Sequence, residues 1–135
     1  RIAIHNLPEG LAIGSSFMFA SQIGFSVALI ITLHNIPEGM AMATPLRISG
    51  MSKIKVLLLT LLSGIPTGIG AFIGAVLGNI SDFFISLCLA FAGGTMLYIT
   101  CGELIPNAKK LYNGRASTIG LTIGFIIGII IVVNN

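Results

Sequence analysis

Residues 5–10 read His5-Asn6-Leu7-Pro8-Glu9-Gly10, and residues 34–39 read His34-Asn35-Ile36-Pro37-Glu38-Gly39. This is one hexapeptide written twice, with a single aliphatic exchange between the copies. Each copy sits inside a stretch that is otherwise apolar, so the two together hold both histidines and two of the four acidic residues of the chain. A charged side chain near the centre of a bilayer costs roughly 2.5–3.5 kcal/mol even on the lenient insertion scale, and carboxylates kept at that depth mark ion or proton paths. The doubled hexapeptide therefore sets both the fold question and the functional one.

The composition around it excludes most alternatives. The 135 residues are 55% hydrophobic and 8% charged, with a mean hydropathy of +1.03, whereas a soluble domain carries roughly a quarter of its residues as charges. Such a chain must face lipid. Its hydrophobicity excludes disorder, and its two cysteines, Cys88 and Cys101, both in apolar runs, exclude a disulfide scaffold and read as inert small apolar residues. Seven basic and four acidic residues leave a net charge of +3. That excess is too small for a phosphate-tracking stripe, so no nucleic-acid partner is expected.

A spanning helix needs about 20 largely apolar residues. Stretches of that kind lie near 1–20, 24–43, 56–78, 83–104 and 117–133, which predicts an all-α, polytopic transmembrane bundle of about five spans in one domain. Lysine and arginine accumulate in short cytoplasmic loops. The basic residues gather in the connectors 47–55 (Arg47, Lys53, Lys55) and 109–115 (Lys109, Lys110, Arg115), with Arg1 on the same side. Those connectors are expected to be cytoplasmic and Asn134-Asn135 outside, in a multi-pass protein of the cell membrane. The opening Arg1-Ile2-Ala3-Ile4 has no initiator Met and no lead-in, and reads as the C-terminal part of a longer membrane protein, cut close to or inside a helix.

Helical spacing gives the hexapeptides their chemistry. Residues i and i+4 share one face, so His5 with Glu9 and His34 with Glu38 each form a two-ligand claw. Two antiparallel neighbours would offer two imidazoles and two carboxylates to one divalent cation, a set that suits zinc and, less well, iron, manganese or cadmium. Asn6 and Asn35 turn about 100° from the claws and line an adjoining, weaker site. Pro8 and Pro37 each remove an N–H and crowd a carbonyl four residues earlier, which predicts interrupted helices like those that border transporter sites. Two rival readings remain. The pairs would serve as hydrogen bonds joining helices, or the ligands would serve an intramembrane metalloenzyme with a zinc-bound water. The duplication argues against the first, and the HNxxE spacing, in place of HExxH with its base between two histidines, argues against the second. No enzyme activity is expected; a membrane sensor that binds metal without moving it is the alternative to transport.

Other features have plainer readings. Glycines at four-residue spacing (Gly64, Gly68; Gly70, Gly74, Gly78; Gly120, Gly124, Gly128) let helices approach closely. Glu103 balances Lys109 and Lys110 at an interface or acts as a metal exit station, Asp82 is a loop acid, and Met40 and Met42 fill gaps.

The chain resembles the ZIP family of divalent metal transporters, particularly its bacterial zinc-uptake branch. HNLPEGLAIG and HNIPEGMAMATPL look like the family's fourth and fifth transmembrane helices, LSGIPTGIGAFIGAVLG like the sixth, FAGGTMLYITCGELIPNA like the seventh, and the last span like the eighth. The resemblance covers essentially the whole chain and implies three further helices before Arg1. It also implies a transport site of His5, Glu9, His34 and Glu38 halfway across the membrane, with zinc carried toward the cytoplasm, and a second site lined by Asn6 and Asn35. Some members complete that second site with a glutamate where this chain has Thr67, and some have aspartate at the position of Asn35. Neutral ligands at both places favour a single occupied site. A homodimer and an elevator-like motion are further implications.

Overall fold

In the computed structural model, residues 2–112 and 114–134 are described, with side chains from His5 onward. The placement expected for Arg1 and for Asn135 lies outside the described residues. Among the described residues, seven α-helices follow one another: α1 (Ile2–Phe19), α2 (Ser21–Ile48), α3 (Lys53–Ser63), α4 (Ile65–Gly78), α5 (Asp82–Ile99), α6 (Ile105–Leu111) and α7 (Ala116–Val133). A single π-helical turn, Thr100–Leu104, joins α5 to α6. Among the described residues there is no strand.

Among the described residues, four helical stretches are long and apolar enough to cross a membrane: Ser21–Ile48, Lys53–Gly78, Asp82–Leu111 and Ala116–Val133. The 18-residue α1 is diluted by His5, Asn6, Pro8 and Glu9 and is not among the four. It lies instead in the middle of the bundle, packed against α4, α5 and α2. The interior holds polar side chains beside the apolar Val56, Ile85, Cys88 and Ala92, while the outside is apolar. Asn6, Glu9, Ser15, Ser16 and Ser26 are buried, while Phe72, Phe83 and Phe125 stand more than two-thirds exposed on the outside. Water would penalise that outer surface and hydrocarbon would not, so this is a multi-pass membrane protein.

Helix ends follow local chemistry. Asp82 opens α5 and Lys109 and Lys110 close α6, each with the sign that suits the helix dipole. α2 ends in a Schellman turn, where Gly50 N–H donates to Arg47 O and Met51 N–H to Leu46 O, at 3.1 and 3.2 Å. Gly50 has φ of +86°, which a side chain would strain.

Several expected boundaries and breaks fall elsewhere. α2 runs on to Ile48 rather than ending near Ala43, and the fourth stretch reaches Leu111 rather than Leu104. Arg47, Lys109 and Lys110 therefore sit in last helical turns. Pro8 and Pro37 were expected to interrupt their helices, yet α1 and α2 continue through both. One missing N–H leaves the bonds on either side intact. The irregularities come at Gly64, ahead of Pro66, and at the π turn ahead of Pro106, where the wider turn takes up the proline's clash with the carbonyl four residues before it.

Glycine draws α1 onto α4. A Cβ on Gly10 would stand 2.7 Å from Ala71 N, and one on Gly14 would stand 2.8 Å from Ala75 N. In return, a Cβ on Gly74 would stand 2.6 Å from Leu11 O. The two backbones touch, which fixes the height of α1 and of the groups it carries. Gly120, Gly124 and Gly128 of α7, by contrast, have open space beside them.

Candidate metal site between the doubled hexapeptides

Only Ala20, with extended backbone at φ −160° and ψ 132°, separates α1 from α2. The chain turns back on itself there, and Gly24 lets the helices close: a Cβ on it would lie 2.7 Å from Phe17 Cα. The antiparallel register that follows sets His5 opposite Glu38 and Glu9 opposite His34.

The pairing therefore crosses between the helices. His5 Nε2 donates to Glu38 Oε1 at 2.7 Å, and His34 Nε2 lies 3.4 Å from Glu9 Oε1. Each claw is thus engaged by the other hexapeptide. His5, Glu9 and Glu38 offer ligand atoms that all lie within 4.8 Å of one another. A tetrahedral zinc with bonds of ~2.0 Å holds its ligands about 3.3 Å apart, so side-chain rotations close this trio onto an ion. His34 stands outside the trio, its side chain 41% exposed against 19% for His5. It reaches the site through Glu9.

Glu9 is fully buried. An ionised carboxylate in that position is costly unless paired. Asn35, turned so that its amide nitrogen faces the acids, donates to Glu9 Oε2 and to Glu38 Oε2, both at 3.2 Å. Asn35 thus faces both carboxylates and also lines the cavity beside Glu38.

The remaining residues are more dispersed. Asn6 turns toward α3, where its Nδ2 donates to Ser63 O at 2.8 Å, and its buried Oδ1 has no hydrogen-bond partner. Thr67 Oγ1 is likewise buried without one. Beside Glu38 is a cavity of about 90 Å³, lined by Asn6, Asn35, Met42, Thr60 and Ser63 among others. It has room for a few waters. Met42 thus borders the cavity, whereas Met40 is exposed. The spacing of Gly10 and Gly14, which seats α1 on α4, was present in the sequence and was not read; Ser63 O and the break at Gly64 left no readable signal.

The chain is thus a polytopic helical membrane protein with imidazole, carboxylate and amide groups converging inside its bundle. The model of the ZIP zinc transporter family matches residues 2–132, and the chain belongs to that family. It is 40% identical over 131 residues to the zinc transporter GufA of Myxococcus xanthus, covering 96% of this chain and 52% of that protein. It is 37% identical over 125 residues to the zinc transporter ZIPB of Bordetella bronchiseptica, covering 92% of this chain and 40% of that protein. The chain thus spans about half the length, or less, of these curated relatives. No solved structure matches it.

Proposed function

We propose that this chain forms the metal-handling part of a carrier that moves divalent cations, zinc above all, through the membrane. His5, Glu9, His34 and Glu38 take the cation in transit. The convergence of His5, Glu9 and Glu38 within 4.8 Å carries the reading, and the names of the relatives, both zinc transporters, support zinc as the cargo. Borderline nitrogen and hard oxygen donors also admit iron, manganese or cadmium with less preference. The cation is cargo, and the naming of both relatives as transporters supports a carrier rather than an enzyme.

Inward transport is supported by what is packed and by the charge of the connectors. Toward the α1–α2 turn, Ser15 and Ser16 are fully buried and Phe17 closes on Gly24. The small cavity beside Glu38 is lined by residues of α2 and α3, the two helices joined by the connector that carries Arg47, Lys53 and Lys55. Basic connectors belong on the cytoplasmic side, so release is inward, with 47–55 and 109–115 cytoplasmic and the C-terminus outside. One site is occupied, since Asn6, Asn35 and Thr67, the residues at the positions of a second site, are all neutral and weak ligands. Pairing of two copies is consistent with the open glycine row of α7.

The test is uptake of radiolabelled zinc into proteoliposomes by the full-length protein. Flux abolished by Glu38→Ala supports the carrier; zinc bound without flux under any gradient overturns it in favour of a sensor.

A further inference from the structure

His34, Glu38 and Met42 follow one another at four-residue intervals along α2 and so share one face of it. Side chains of a helix lean toward its N-terminal end, which carries the long Met42 side chain back toward Glu38. Both residues accordingly line the cavity of about 90 Å³ beside the site. A water takes up about 30 Å³, so an ion within that space lies close to every wall. The walls are supplied with lone pairs. Thr60 Oγ1 donates its hydrogen to Val56 O at 2.9 Å, Ser63 Oγ to Thr60 O at 2.7 Å, and Asn6 Nδ2 donates to Ser63 O at 2.8 Å. Asn6, only 4% exposed, keeps its Oδ1 without a hydrogen-bond partner. Such oxygens suit a cation, but hard oxygen donors give no preference to the softer divalent ions. Among the described residues that line the cavity, Met42 alone carries sulfur.

We propose that Met42 is a specificity-determining residue of the carrier: its thioether meets the cation passing between the trio of His5, Glu9 and Glu38 and the cavity, and favours soft divalent cations, cadmium and zinc, over hard ones such as manganese. This inference rests on the carrier reading and adds selectivity to it. A methionine serving only as filler closes the space beside it, whereas Met42 borders one that stays open to Glu38. The thioether is polarisable and neutral. It binds a soft cation without the added charge that would trap it, and unlike imidazole or carboxylate it gains no proton as the pH falls. It adds no second ion to the site; it touches the one that the trio takes up or gives up. Met40, two residues earlier on α2, is 64% exposed and lies away from the cavity, so it shares none of this.

The diagnostic substitution is Met42→Leu, which keeps the volume and removes the sulfur. Uptake of radiolabelled zinc into proteoliposomes by the full-length protein is measured against rising cadmium and, separately, rising manganese. In Met42→Leu the cadmium concentration that halves zinc uptake is expected to rise several-fold while the manganese concentration that does so stays level. Met42→Cys, which restores a soft donor, is expected to return the cadmium value to that of the wild type or below it, and Met40→Leu to leave both values unchanged. Cadmium and manganese values that move together, or a cadmium value that does not move, overturn the proposal, since a packing residue acts on all ions alike and a bystander on none. A wild-type measurement keeps the proposal testable if the leucine variant does not fold: the 13C-labelled ε-methyl of Met42 should shift its resonance when cadmium is added, and an unmoved resonance overturns the proposal. A wild type that carries no zinc removes the underlying carrier reading, and this inference with it; a wild type that carries zinc with the cadmium value unchanged in Met42→Leu removes only this one.

Discussion

Gly10→Ala puts the α1–α4 contact to a stringent test. The added methyl would stand 2.7 Å from Ala71 N and closer still to Thr67 O, both backbone atoms that cannot rotate aside. Ordinary van der Waals contact begins near 3.4 Å, so the helices must part by at least 0.7 Å at that point, from 3.4 minus 2.7. Overpacking by one methyl in a close-packed interior costs about 1–3 kcal/mol. The shift also reaches Glu9, the preceding residue, and pulls it from Asn35 and His34. The assay is the thermal midpoint of the full-length protein in detergent, read beside its zinc affinity. Both should fall for Gly10→Ala. Gly68→Ala, on α4 where nothing lies within 4 Å, should leave both unchanged or raise stability by about 1 kcal/mol through helix propensity. Equal effects of the two substitutions, or a Gly10→Ala variant as stable as the wild type, would refute the packing argument.

Three further outcomes follow from the site. His5→Ala should weaken zinc binding more than His34→Ala, since His5 belongs to the converging trio while His34 is 41% exposed beside it; calorimetry on the two variants decides the order. Ser16→Ala should be neutral or stabilise the protein by about 1 kcal/mol, because it removes a fully buried hydroxyl with no hydrogen-bond partner, as a thermal melt will show. Thr67→Glu should add a second tightly held zinc per chain, countable by metal analysis after gel filtration, if Asn6 Oδ1 is the free acceptor it is in this structure.

The doubled hexapeptide made the membrane class and the identity of the converging groups legible, because an intramembrane His–Glu pair has so few other uses. Helical spacing alone puts His5 with Glu9 and His34 with Glu38 on shared faces. That the hydrogen-bond partners cross between the helices could not be read from it, since register between α1 and α2 is set by the tight turn at Ala20 and the contact of Gly24 with Phe17, neither of which periodicity within one helix reveals. Asn35 lines the cavity beside Glu38, as its 100° turn from the claw suggests, and a side chain of its length also reaches the two acids on the facing surfaces. Proline was a poor guide to helix breaks. Pro8 and Pro37 are carried inside α1 and α2, whereas the changes of helical geometry accompany Pro66, where Gly64 precedes it, and Pro106, where the π turn absorbs the strain.

The central claim is that the two hexapeptides form one cation site inside the bundle, and anomalous diffraction from crystals of the full-length protein soaked in zinc tests it most directly. The account predicts a strong peak in bonding contact with His5 Nε2 and with carboxylate oxygens of both Glu9 and Glu38. Zinc bound elsewhere, with those three side chains left on the partners they have without it, would contradict it.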